Sequence, residues 1–86
     1  MIELFDKQKG RCALSGVFLT FLKDGRGRKD LNASLDRIDP DVGYVIGNVQ
    51  LVCWRVNFMK HTMTDSEFIW WCQNVTANAG DNPPYE

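Results

Sequence analysis

A chain of 86 residues, 44% hydrophobic and 24% charged, has the composition of one globular domain and not of a disordered segment. At this length only about 60% of the unfolded surface is buried, so the core has little stability to spare. The net charge of −1 is unevenly spread: residues 1–60 hold all ten Lys and Arg against seven acids (+3), and residues 61–86 hold four acids and no Lys or Arg (−4). That balance does not by itself predict strong non-specific DNA affinity, but it allows local phosphate contacts.

Ile2 to Lys9 reads as a short helix with Ile2, Leu4 and Phe5 inward, ended by Gly10. The apolar runs 11–14 and 17–22 flank Ser15-Gly16 and predict a hairpin. Residues 23–30 form a loop with two glycines and the cations Arg26, Arg28 and Lys29. It reads either as a solvated connection or as a phosphate-contacting loop, since glycine lets a cation approach a backbone closely.

Ala33 to Asp39 predicts a strand that stops at Pro40, and Asp39-Pro40-Asp41-Val42-Gly43 is turn chemistry. A structured loop through Tyr44 and Asn48 leads to a second strand, Val49 to Val52, and a short helix, Trp54 to His61. Thr64 and Glu67 have capping-box spacing ahead of a last helix, and Met63 can staple against Phe68. Phe68, Cys72 and Val75 mark that helix's buried stripe. Residues 1–80 then make one domain, and 81–86, with Pro83-Pro84, a flexible tail.

No apolar run approaches the roughly 18 residues of a membrane span, and no basic-then-apolar leader opens the chain. Neither secretion nor membrane insertion is expected. Cys12, Cys53 and Cys72 are an odd set, which suits a reducing cytosol better than a disulfide framework.

Chemistry concentrates in residues 33–61. Asn57 and His61 are four apart and share a helix face. A strand-end carboxylate at Asp36 facing that amide and imidazole can hold one divalent cation and leave positions open for water and a phosphate oxygen. Caps and turn formers account for the same residues without a metal.

Ser34-Leu35-Asp36-Arg37-Ile38-Asp39, then Gly43-Tyr44, then Gly47-Asn48-Val49-Gln50, then Asn57-Phe58-Met59-Lys60 resemble, in order and spacing, the HNH or His-Me finger nucleases, especially the compact phage-type members. The resemblance spans about residues 8–75. It implies an α+β fold, a small ββα-metal domain with an N-terminal helix and hairpin and a C-terminal helix. It implies a metal-dependent DNA endonuclease or nickase using Mg²⁺ or Mn²⁺, acting on DNA in the cytoplasm of a bacterial host, where a phage would encode it. A homodimer or a partner protein would supply specificity that so short a chain lacks.

Carried over by position, Asp36 and Asn57 match the metal ligands, with His61 a further ligand or base, and Asn48 matches the residue that braces the loop. Lys60 could touch a phosphate, and Arg26, Arg28, Lys29 and Arg55 complete the expected DNA contacts. Arg37 stands where the family has its histidine base. An arginine stays protonated and cannot take a proton from water, but it can clamp a phosphate. Its replacement as base would come from His61, Tyr44 or metal-bound hydroxide, although Tyr44 can equally pack under the loop. The alternative outcome is an HNH-fold binding module, for DNA or protein, with catalysis weak or lost.

Many relatives also carry two Cys-x-x-Cys zinc pairs. Here Cys12 is followed by Ser15 and Cys53 by Val56, so no complete structural zinc site is expected, even with Cys72 as a third ligand. Trp54, Phe68, Trp70 and Trp71 are then expected to enlarge the core.

Overall fold

The computed structural model describes residues 2–21 and 29–80. It is a small α+β unit in the order α1 (Ile2–Lys7), a 3-10 turn (Lys29–Leu31), β1 (Ala33–Arg37), β2 (Val49–Cys53), α2 (Trp54–Lys60) and α3 (Asp65–Ala79). Arg26, Arg28 and the 81–86 tail lie outside the described residues.

β1 and β2 pair antiparallel, with Leu35 opposite Leu51 and Asp36 opposite Gln50. Strand alternation puts Leu35 and Leu51 on one face and Ser34, Asp36, Gln50 and Val52 on the other. The first face meets the N-terminal segment. Cys12, Leu19, Leu51, Val52 and Cys53 form the core, with Leu4, Phe5, Leu14, Ala33, Leu35 and Val56 packed around it. α2 follows β2 without a break and lies over the second face.

The N-terminal segment covers the free edge of β2 by an unusual route. The Gln8 carboxamide donates to Leu51 O at 2.8 Å and accepts from Leu51 N at 2.9 Å, and Ala13 N donates to Leu51 O at 3.0 Å. A side-chain amide thus takes the place of a strand neighbour and blunts an edge that would otherwise invite pairing. Gly10 closes the turn after α1, with φ +73° and its amide donating to Phe5 O at 2.9 Å. The predicted hairpin is reduced to a single bridge between Arg11 and Phe18, with Cys12 N donating to Val17 O.

Several expectations about burial fail. Ile2 is 78% exposed, and Trp54, Trp70, Trp71 and Val75 all lie at the surface, so the tryptophans do not enlarge the core. Phe68 alone anchors α3 as a buried residue. The capping box at Thr64 forms as its spacing predicts: Glu67 N donates to Thr64 Oγ1 at 3.2 Å and Thr64 N donates to Glu67 Oε1 at 2.9 Å. No helix among the described residues is long and apolar enough to cross a membrane.

Candidate functional site

The loop between the strands is built on one side chain. Asn48, itself buried, accepts from Asp39 N at 2.9 Å through Oδ1 and donates through Nδ2 to Asp39 O, Val42 O and Gly43 O at 3.1, 3.0 and 2.9 Å. The Asp39 carboxylate adds a local turn by accepting from Asp41 N. Asn48 therefore does the bracing work expected of it: an amide with both kinds of hydrogen-bonding atom satisfies backbone groups that no strand can reach. Tyr44, held on this loop, is exposed and not packed beneath it. The Arg37 guanidinium lies 4.9 Å from the Tyr44 ring centroid, so the two expected catalytic side chains are together at the end of β1.

α2 then sets two polar residues against β1. Asn57 Nδ2 donates to Ser34 Oγ at 2.6 Å and reaches Leu35 O at 3.5 Å. Lys60, one turn on, is 0% exposed. Its Nζ lies 2.7 Å from Asp36 Oδ2, 2.7 Å from Asp65 Oδ1, 2.6 Å from Arg37 O and 3.4 Å from Ile38 O. Gln50 Nε2 completes the cluster by donating to Asp36 Oδ2 at 3.0 Å and to both Asp65 oxygens. A buried ammonium needs this many oxygens, because leaving it unpaired costs several kcal/mol.

This arrangement corrects two expectations. Lys60 is not a phosphate contact, since no part of it reaches solvent. Asp36, on β1, and Asn57, packed against it, do not present a shared ion site as arranged: Asp36 Oδ2 already holds the Lys60 ammonium and the Gln50 amide, and Asn57 turns its Nδ2 to Ser34 Oγ. What remains beside Asn57 is an open notch of about 260 Å³ lined by Ser34, Trp54, Asn57, Phe58 and His61. Its lining holds no carboxylate, whereas Mg²⁺ and Mn²⁺ favour at least one. Among the described residues no group of three or more His, Cys, Asp or Glu side chains is gathered where it could hold a metal ion. The donors as arranged do not fit a divalent ion at Asp36.

Of the remaining expected residues, His61 is exposed at the notch and holds φ +51° at the end of α2. Arg55 pairs with Asp30 at 2.9 Å and lies over Trp54 and Phe58, while Lys29 is exposed on the 3-10 turn. Cys12 and Cys53 are buried neighbours without a second pair of thiols. Burial works to raise the Cys12 thiol, but hydrogen bonds to its sulfur from Ser15 and nearby amides bring it below the ordinary value. Burial, with Cys12 alongside, pushes the Cys53 thiol up. Cys72 is apart on α3, half-buried.

Sequence reasoning missed Ser34, Gln50 and Asp65 as site residues. Gln50 was findable from strand register once Asp36 was placed. Asp65 was hidden because a first-turn acid on a helix already has an explanation in the helix dipole. Compared with family models, with characterised proteins and with solved structures, the chain matches none.

Proposed function

We propose that the chain is an HNH-like domain of the ββα type that acts on DNA, nicking or cleaving a phosphodiester. The observation that carries the reading is the continuous unit of β1, an Asn48-braced loop, β2 and α2, with Asn57 delivered back onto β1 at Ser34 and Leu35. The ordered residues Asp36, Asn48 and Asn57 occupy the positions where the resemblance wants a strand-end acid, a loop brace and a helix amide. Arg37 stands half-exposed at the strand end, where its guanidinium can hold a non-bridging phosphate oxygen. His61 and Tyr44 are the exposed side chains near this strand and helix that can move a proton.

The second reading is a DNA-binding module of the same fold with cleavage lost. The Lys60–Asp36 pair favours it: the cation bound at the strand-end acid is the protein's own. Arg37 favours it as well, since losing a positioned base typically slows such chemistry 10²–10⁴-fold.

Supercoiled plasmid separates the two. Nicking that needs Mg²⁺ or Mn²⁺, stops with chelator, and is lost in both Asp36→Asn and Asn57→Ala supports the endonuclease. Retention of plasmid in a gel shift with no nicking under any metal identifies the binding module. Circular dichroism of each variant shows that the fold has survived, and Asn substitution keeps the Asp36 position polar and of the same size.

A further inference from the structure

The notch beside Asn57 has one aromatic wall. Trp54 and Phe58, four residues apart on α2, stack with ring centroids 5.3 Å apart and planes 19° from parallel. Both remain open to solvent, Trp54 at 43% and Phe58 at 63% exposed. Burying such rings is the ordinary way for a small domain to gain stability, so two stacked and solvent-facing rings leave that gain unused. The Arg55 guanidinium lies 5.3 Å from the Trp54 centroid and 6.0 Å from that of Phe58, fixed by its pair with Asp30. The wall is therefore an aromatic and cationic platform.

The floor of the notch is polar. Asn57 Nδ2 is committed to Ser34 Oγ, which leaves Asn57 Oδ1 as an acceptor and the Ser34 hydroxyl hydrogen as a donor within the lining. His61 contributes an imidazole at the rim. A volume of about 260 Å³ lies below the roughly 300–1,000 Å³ of pockets that take drug-sized ligands. It suits one planar ring system with edge donors and acceptors.

We infer that this notch seats an unpaired nucleobase, stacked on the Trp54–Phe58 platform, with its edge against Ser34 and Asn57, and that the domain prefers single-stranded or locally opened DNA over intact duplex. Exposed aromatic faces with an adjacent arginine are the usual means of holding unpaired bases, because every base has a π-face to offer. In a closed duplex the same faces are already stacked on neighbouring pairs. The 3-10 turn packs against α2 and carries the exposed Lys29, whose charge is complementary to the strand's phosphates. The inference rests on the proposed action on DNA and deepens it by naming the substrate form.

The test compares a fluorescein-labelled oligothymidylate with a labelled hairpin duplex by anisotropy, using the whole chain and chelator so that no cleavage intervenes. The expected result is tighter binding of the single strand. Phe58→Ala and Trp54→Ala should each weaken it by roughly 5- to 150-fold, the range for losing one base–aromatic stack, with little change for the duplex. Trp70→Ala, on α3, should leave it unchanged. If Trp54→Ala fails a circular dichroism check, the more exposed Phe58→Ala decides. Duplex preference, or single-strand binding that Phe58→Ala leaves intact, overturns the inference. Plasmid nicking together with either of those results would leave the proposed function standing, and absence of binding to every DNA form would remove both.

Discussion

Lys60 Nζ sits 2.7 Å from Asp36 Oδ2 in the interior, joining the end of α2 to the last residues of β1 before the strand–strand loop. Asp65 at the start of α3 binds the same ammonium, and its amide donates to Ile38 O at 3.1 Å. Three elements and the start of the strand–strand loop thus meet at one nitrogen. In a domain whose hydrophobic core is five buried side chains and their neighbours, this polar junction holds α2 and α3 in place.

Replacing Lys60 should therefore be costly. Lys60→Met leaves the buried Asp36 carboxylate and the partly buried Asp65 carboxylate without their shared cation and should cost about 3–5 kcal/mol, the range for breaking a buried ion pair from one side. Asp36→Asn should cost less, since Lys60 keeps Asp65 and the backbone carbonyls of Arg37 and Ile38. Urea titration followed by far-UV circular dichroism ranks the two, and an Asp36→Asn variant less stable than Lys60→Met would contradict the junction.

Asn48→Ala removes four hydrogen bonds at once and strands the Val42 carbonyl and the Asp39 amide, while the Gly43 and Asp39 carbonyls keep Val45 N and Val42 N. With net values near 1 kcal/mol for each bond, and some rescue by water at an exposed loop, a loss of roughly 2–3 kcal/mol is expected. Asn48→Asp should be nearly as harmful, because a carboxylate cannot donate to the three carbonyls. Equal stability of Asn48→Asp and wild type in thermal melts would show that the donor side of the brace is unimportant.

Gly10→Ala tests the turn after α1. A Cβ there would meet Phe5 Cζ at 3.1 Å, and φ of +73° disfavours any L side chain. A destabilisation of about 1–2 kcal/mol is expected. Gly16 also has a positive φ, but nothing lies within 4 Å of its Cβ position. Gly16→Ala should be the milder of the two, as chemical denaturation of the pair will show.

At the start of α3, Thr64→Ala breaks the capping box and should cost about 1 kcal/mol. Because Asp65 is the next residue, the loss should also loosen the Lys60 cluster. Hydrogen exchange at the Asp65 amide, which donates to Ile38 O, should therefore speed up more than at Phe68. Uniform protection across both amides would separate the cap from the cluster.

Chelation tests the cysteines. Two thiols at Cys12 and Cys53 cannot close a four-coordinate zinc site, and the Ser15 amide donates to Cys12 Sγ at 3.3 Å. Prolonged treatment with EDTA should leave the melting temperature unchanged. A fall of several degrees, restored by Zn²⁺, would show that a metal has been recruited.

The elements that local chemistry specifies were legible in the sequence. Asp39-Pro40 and Gly43 marked the turn, and Thr64 with Glu67 marked the helix start, because each rests on contacts within a few residues, whereas the Asn48 brace came only from the resemblance. Burial was less legible. Ile2, Trp70 and Trp71 read as core by hydrophobicity alone, yet the sheet has two strands and offers too little surface to cover them. The role of Lys60 was hidden for the opposite reason. A lysine beside an exposed-looking helix end reads as a surface charge, and only the meeting of Asp36, Gln50 and Asp65 from three separate segments turns it inward.

The Gln8 carboxamide, seated on both polar atoms of Leu51, ties the first ten residues to the sheet by a contact 43 positions away in the chain. During synthesis that partner emerges late, so the amino-terminal helix gains this anchor only once the second strand has left the ribosome.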